Sequence, residues 1–266
     1  ESKHSSSSSS IKIFLRVRPH LKKRRSDEEE KFDVDPDAGS CKFDVPVDTV
    51  SDVVNNSRTS FRFKFDGVLG MDSTQEDVFE TVARGPIDNA LAGFNATIFA
   101  YGQTGSGKTY TIGTSSSGKS VSEDSKFSSD SYAPEATDGL IPRFVSDLFH
   151  RTNALQGRKI DITVSFLEIY NENCKDLLNP HEEQLRIVEK GRGKRGARVM
   201  GLSRHKVSCT NDVLKALSEG VSRRVTCGTK MNTVSSRSHA IMILDLEIRP
   251  REEEEEEEDG KGKDKN

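Results

Sequence analysis

The chain has 266 residues, 32% hydrophobic and 31% charged, with a formal net charge of −3 at pH 7. That length suffices for one sizeable core or one domain with disordered edges, and the low apolar share is concentrated in identifiable polar tracts. The small net charge hides strongly local charge, no nucleic-acid binding is expected, no apolar run approaches the roughly 20 residues of a membrane span, and Cys41, Cys174, Cys209 and Cys227 form no Cys-x-x-Cys pair. Neither a zinc site nor a disulfide framework is suggested, and a reducing compartment is expected. The chain opens on Glu1 without a charged-then-apolar signal, and its natural start is expected to lie further upstream.

Residues 1–10 form a serine-rich lead-in expected to be a solvated tail. Ile11 to Arg18 reads as a strand closed by Pro19, which cannot continue a ladder. After a charged loop, Lys22 to Lys31, the alternation of Phe61, Phe63 and Phe65 places three aromatic rings on one face of a strand, expected to be its buried side. Ser73-Thr74-Gln75-Glu76 has the form of a capping box with Ser73 as N-cap, opening an amphipathic helix through Val78, Phe79 and Val82. Pro86 must kink or interrupt that helix before Ile87, Ala90 and Leu91 resume, and Gly93 ends it.

Ala96 to Tyr101 is a short apolar run rich in strand formers, and it leads into Gly102-Gln103-Thr104-Gly105-Ser106-Gly107-Lys108-Thr109. This is the pattern G-x-x-x-x-G-K-[ST]. Glycines allow backbone angles that a β-carbon forbids, so successive N–H groups can surround a phosphate, while the lysine supplies a point charge and the following hydroxyl a metal ligand. Lys108 to Ile112 can then open a helix, so strand, loop and helix come in the required order for a triphosphate cradle. A dinucleotide fingerprint is ruled out, because Tyr110 stands where G-x-G-x-x-G needs its third glycine.

Residues 114–138 carry nine serines and little to bury, and are expected to be a mobile surface insert. A helix with Phe144, Val145, Leu148 and Phe149 at core spacing follows, then a strand through Ile160, Ile162, Val164 and Phe166. Asp176-Leu177-Leu178 is expected to close a short helix before Pro180. Lys190, Arg192, Lys194, Arg195 and Arg198 lie in a glycine-rich, hairpin-like stretch suited to an acidic partner. Thr210 to Arg224 has helical periodicity, Asn232 to His239 is polar, and Ala240 to Ile248 reads as a strand. Residues 249–266, with Glu252 to Glu258 as a like-charge block, form an acidic tail expected to be disordered.

A phosphate loop also needs groups that sense the γ-phosphate and order the attacking water, and Ser235-Ser236-Arg237-Ser238-His239 has that chemistry. Five blocks together carry a resemblance: Arg16-Val17-Arg18-Pro19, Phe65-Asp66-Gly67-Val68, Ala100-Tyr101 with the phosphate loop, Phe166 to Glu172, and Ser235 to His239. In this order and spacing they resemble the motor domain of a kinesin, over about Ile11 to Ile248. The resemblance implies a three-layer α/β P-loop NTPase fold with a central β-sheet flanked by helices. It further implies an ATP-dependent microtubule motor of the cytoplasm and cytoskeleton, with ATP and Mg²⁺ at the site.

Carried over residue by residue, the resemblance implies that Arg16, Pro19 and Tyr110 flank the adenine, with Arg18 in the nucleotide-binding set. Gly102, Gln103, Thr104, Gly105, Ser106, Gly107, Lys108 and Thr109 would hold phosphate. Thr109 and Ser236 would bind Mg²⁺, Ser235 would stand near the γ-phosphate and water, Arg237 would be half of a switch-to-switch salt bridge and Asn232 would support it. Lys194 and Arg195 would face tubulin. The family's second switch, approximately D-L-A-G-S-E, its main microtubule-binding helices and its neck are expected to be absent, and dimerisation would need a stalk not present here. The domain is thus expected to be C-terminally truncated and of marginal stability. The alternative is a non-motile fragment that binds nucleotide or microtubules, with little microtubule-stimulated turnover if Asn266 is the true end. A GTPase is disfavoured for want of an N-K-x-D segment. Asp245 ends a Walker-B-like run, Ile241-Met242-Ile243-Leu244-Asp245, but sits mid-strand by alternation and is left out of the site.

Overall fold

The computed structural model describes residues 11–19, 32–44, 59–113, 132–180, 185–189, 196–226 and 238–250. The serine-rich lead-in, the charged loop, residues 114–131 of the insert, Lys190 to Arg195, Asn232 to Arg237 and the acidic tail lie outside the described residues. The chain divides into two compact units, residues 1–119 with 133–146 and residues 120–132 with 147–266.

The first unit contains β1 (Phe14–Arg16), β2 (Phe32–Asp35), β3 (Ser40–Asp44), β4 (Ser60–Lys64), β5 (Gly67–Leu69), α1 (Gln75–Val82), α2 (Arg84–Leu91), α3 (Lys108–Ile112) and the start of α4 (Leu140–Ala154). β1 runs parallel to β5, from Phe14 opposite Gly67 to Arg16 opposite Leu69. The strand expected from Ile11 is therefore shorter, because β5 offers three residues to pair with; Ile11 and Ile13 are 81% and 57% exposed. β2, β3 and β4 form an antiparallel sheet. Phe61 and Phe63 share a face, with ring centroids 6.4 Å apart, but Phe63 is 51% exposed, so the expected burial of that face is incomplete.

The capping box lies one residue later than expected. Thr74 is the N-cap: its Oγ1 accepts from Asp77 N at 3.1 Å, and Asp77 Oδ2 accepts from Thr74 N at 2.8 Å. The Thr74 N–H, together with the Thr74 hydroxyl that also donates to Asp77 Oδ2 at 2.8 Å, holds the Asp77 carboxyl below its usual pKa. The helix breaks at Ala83, and Pro86 then falls in the first turn of α2, where no intrahelical N–H is required. Ala96 to Tyr101 forms no strand. β-Propensity favours extended chain, but a strand exists only with a partner ladder, and none of the described strands pairs with this run; Phe99 and Tyr101 are exposed. At the far end of the phosphate loop, Gly139 N donates to Gly113 O at 2.8 Å. A Cβ at Gly139 would lie 2.4 Å from that oxygen, so the start of α4 approaches the end of α3 as only glycine allows.

The second unit contains the rest of α4, β6 (Arg158–Tyr170), β7 (Asn173–Asp176), β8 (Arg186–Glu189), β9 (Ala197–Met200), β10 (His205–Val207), α5 (Thr210–Thr226) and β11 (Ser238–Pro250). β6 pairs antiparallel with β11 along its whole length, from Arg158 opposite Pro250 to Tyr170 opposite Ser238. Its other edge carries β10 and β7. Val164 to Glu168 are buried without alternation, and α5 packs on this strand. The helix expected at Asp176 to Leu178 is replaced by β7. Asn171 and Glu172 both take positive φ, 48° and 62°, in a two-residue turn that folds the chain back on β6. Asp176 Oδ1 then accepts from the N–H groups of Leu178 and Asn179 at 2.8 and 3.0 Å, ending the strand in a turn rather than a helix.

α5 packs on β6 at Gly220, where a Cβ would lie 2.2 Å from Phe166 Cδ1. Alanine in a helix ordinarily gains about 1 kcal/mol over glycine, but Phe166 is 4% exposed and its ring has little room to move. Gly220→Ala is expected to lower unfolding free energy by about 1–2 kcal/mol, since overpacking outweighs the propensity gain. Urea unfolding checks this, and a stabilised variant would contradict it.

Candidate functional site

The phosphate loop lies in the first unit. Gly102, Gly105 and Gly107 have φ values of 155°, 80° and 103°, a region where L side chains are strained. A Cβ at Gly102 would meet Ser106 Oγ at 2.6 Å. Lys108 opens α3, and its Nζ donates to Gly102 O at 2.6 Å and Gln103 O at 2.8 Å, so the ammonium is turned onto the loop itself. Arg18 Nη1 donates to Gly105 O, bringing a second cation to the same loop. Two cations, glycine backbone and the exposed Thr109 hydroxyl form a donor set that suits a polyanion with a divalent cation. Among the described residues, no three His, Cys, Asp or Glu side chains gather to hold a metal by themselves.

Beside the loop, Arg16 stands at the end of β1. Its Nη1 donates to Gln75 Oε1 at 2.8 Å and Thr111 Oγ1 at 2.9 Å, and its Cζ lies 5.3 Å from the centroid of the Tyr110 ring. Burial lowers the pKa of this guanidinium and the nearby Tyr110 opposes the shift. The Tyr110 ring is 53% exposed, and Pro19 is exposed as well. The structure thus brings Arg16 to Tyr110 and Arg18 to Gly105.

Gln75 and Thr111 are the members that sequence reasoning missed. Gln75 is 2% exposed and lies on the face of α1 that carries Val78 and Phe79. A polar side chain at a core-facing helical position was the available signal. Arg143, buried in the first turn of α4, pairs with the exposed Glu76 of α1 and donates to Asp138 O at 3.0 Å and Glu135 O at 2.8 Å.

Asn232, Ser235, Ser236 and Arg237 fall outside the described residues; α5 precedes them in the chain and β11 follows. Arg224, in the last turn of α5, donates through Nε to Glu168 Oε1 at 3.2 Å and through Nη2 to Ser238 O and Oγ at 3.0 and 2.9 Å. Glu168 is 2% exposed, so one guanidinium joins a buried carboxylate to the first residue of β11. His239 is exposed and pairs opposite Ile169. Asp245 stands mid-strand opposite Thr163 and forms an ion pair with Arg204 at 2.8 Å. β8 and β9 pair antiparallel, Glu189 opposite Ala197, so Lys194 and Arg195 belong to the connection between two paired strands, and Arg198 is exposed on β9.

Among the described residues no helix is long and apolar enough to cross a membrane. The family model "Kinesin motor domain" matches residues 16–263. The kinesin-like protein KIF9 of Mus musculus is 36% identical over 242 residues, 88% of this chain and 27% of the relative. The kinesin heavy chain of Syncephalastrum racemosum is 39% identical over 182 residues, 68% of this chain and 18% of the relative. The chain thus spans about a quarter or less of these relatives' lengths. A solved structure of a fast kinesin, described with its ATPase mechanism and interactions with microtubules, matches with a TM-score of 0.69 and 30% identity, covering 91% of this chain and 60% of that one. With one family's model running through both units, and the phosphate loop set in an α/β P-loop fold, this chain belongs to the kinesin motor domain family.

Proposed function

We propose that the protein is a microtubule motor whose ATP site is built on the phosphate loop described above. The observation that carries this reading is Lys108, already converged with Arg18 on the carbonyls of a loop in which three glycines take positive φ. Phosphate oxygens are stronger acceptors than peptide carbonyls, so Lys108 exchanges its bonds to Gly102 and Gln103 for charge-assisted ones to the β and γ phosphates. The base stacks at Arg16, Pro19 and Tyr110, an arrangement that selects a flat aromatic ring by stacking. The hydroxyl of Thr109 and, by the family resemblance, that of Ser236 would hold Mg²⁺, which would supply charge neutralisation at the phosphates. By the same resemblance, Ser235 would stand near the γ-phosphate and water, and Arg237 would form half of a switch-to-switch salt bridge.

The partner contact follows from charge. Lys194 and Arg195 lie in sequence between β8 and β9, and Arg198 is exposed on β9; this local excess of positive charge suits the acidic surface of a microtubule, and a motor on that track would work in the cytoplasmic cytoskeleton. In co-sedimentation of the full-length protein with microtubules, Lys194→Glu with Arg195→Glu is expected to weaken binding roughly tenfold at low salt, and less as salt screens the charges. Failure of the wild-type protein to co-sediment would contradict the motor reading, and an unchanged affinity for the variant would contradict this contact.

A further inference from the structure

We propose that Gln75 is a positioning residue for the nucleotide base, holding Arg16 and Tyr110 in the relative placement that lets them stack on it. The inference rests on the nucleotide reading above and concerns a side chain that touches no nucleotide itself. Its carboxamide is 2% exposed and is used at both ends: Oε1 accepts from Arg16 Nη1 at 2.8 Å, while Nε2 donates to Tyr110 O at 2.7 Å and Thr137 O at 3.3 Å.

One side chain of α1 therefore ties together the end of β1, the first turn of α3 and the stretch before α4. Arg16 and Tyr110 are far apart in sequence, and Arg16 has four side-chain torsions with which to wander. Its Nη1 has two acceptors, Gln75 Oε1 and Thr111 Oγ1, and these hold the guanidinium over the Tyr110 ring at 5.3 Å. Gln75 fixes the other member of the pair through its backbone, because the ring's direction follows from where the Tyr110 peptide is held. A buried amide with both ends satisfied is a rigid link, and one left half-satisfied is costly. Apolar neighbours at Val78 and Phe79 make this a position where helix amphipathicity alone calls for an apolar residue. A carboxamide there supplies orientation rather than additional apolar burial.

The phosphate loop does not depend on this link: Lys108 is anchored on Gly102 and Gln103, and Arg18 on Gly105. Loss of Gln75 should therefore be felt in the base and not in the phosphates. The test measures dissociation constants of Mg-ATP and of inorganic tripolyphosphate with Mg²⁺ for the wild-type protein, Gln75→Leu and Gln75→Glu, alongside thermal unfolding. Gln75→Leu, which removes both ends of the link, is expected to weaken ATP roughly tenfold, as loss of hydrogen bonds to a charged partner implies, while tripolyphosphate binding stays within about twofold. Gln75→Glu keeps the acceptor for Arg16 and loses the donor to Tyr110 O, so it is expected to fall between the two and to preserve folding should the leucine variant unfold. Parallel losses for ATP and tripolyphosphate, or no loss for ATP, would overturn the proposal. A wild-type protein that binds neither ligand would overturn the nucleotide reading itself.

Discussion

Lys108→Ala is expected to weaken Mg-ATP binding about 100-fold, the equivalent of roughly 2.7 kcal/mol, in an equilibrium titration. The ammonium is the cation built into the centre of the loop, and the bonds it now makes at 2.6 and 2.8 Å to Gly102 O and Gln103 O mark how closely the loop wraps around it. Charge-assisted hydrogen bonds to phosphate are among the stronger polar contacts, worth about 1.5–3 kcal/mol each. Arg18 cannot replace it, since its Nη1 is bound to Gly105 O on another part of the loop. The same substitution is expected to leave thermal stability nearly unchanged, because the two carbonyls released lie in a loop where water can take the donor's place. An ATP affinity within threefold of wild type would show that the loop is not the triphosphate cradle.

Arg224→Ala is expected to remove about 3 kcal/mol of unfolding free energy, at the lower end of what breaking a buried ion pair costs. Glu168, 2% exposed on β6, would lose its cation. Arg224 is itself 21% exposed and 3.2 Å from the carboxylate, so water relieves part of the penalty and the upper end of the range is not reached. Ser238 O and Oγ would also lose their donor, loosening the first residue of β11 against Tyr170. The double variant Glu168→Met with Arg224→Met is expected to recover most of the loss, since removing both charges is far less costly than stranding one. Urea unfolding of the three proteins checks both statements. A single-variant loss below about 1 kcal/mol would mean that Glu168 is well solvated without its partner.

Much of this was legible in sequence wherever a residue type has one physical use. The loop glycines required left-handed angles and have them, and the helix through Val78 broke before Pro86 as its missing N–H demanded. Features set by tertiary partners were not legible. Ser73 and Thr74 are both competent caps, and with Glu76 and Asp77 in matching positions the two registers are degenerate by composition; the cap falls on Thr74 with Gln75 buried one residue on. Asn171-Glu172 carries no glycine, so a left-handed hairpin turn was not signalled, and Asp176-Leu177-Leu178 read as helix instead of the end of β7. Ala96 to Tyr101 has the composition of a strand but finds no partner among the described strands. Gln75 was passed over because capping logic concerns the ends of its motif, whereas its importance lies in what it touches across 35 and 59 residues of chain.

The most direct test of the central claim is steady-state ATP turnover by the full-length protein with and without microtubules. A microtubule motor of this family is predicted to show turnover that rises steeply as microtubules are added and saturates, with the stimulated rate abolished by Lys108→Ala. A rate indifferent to microtubules, or one that survives loss of Lys108, would contradict it.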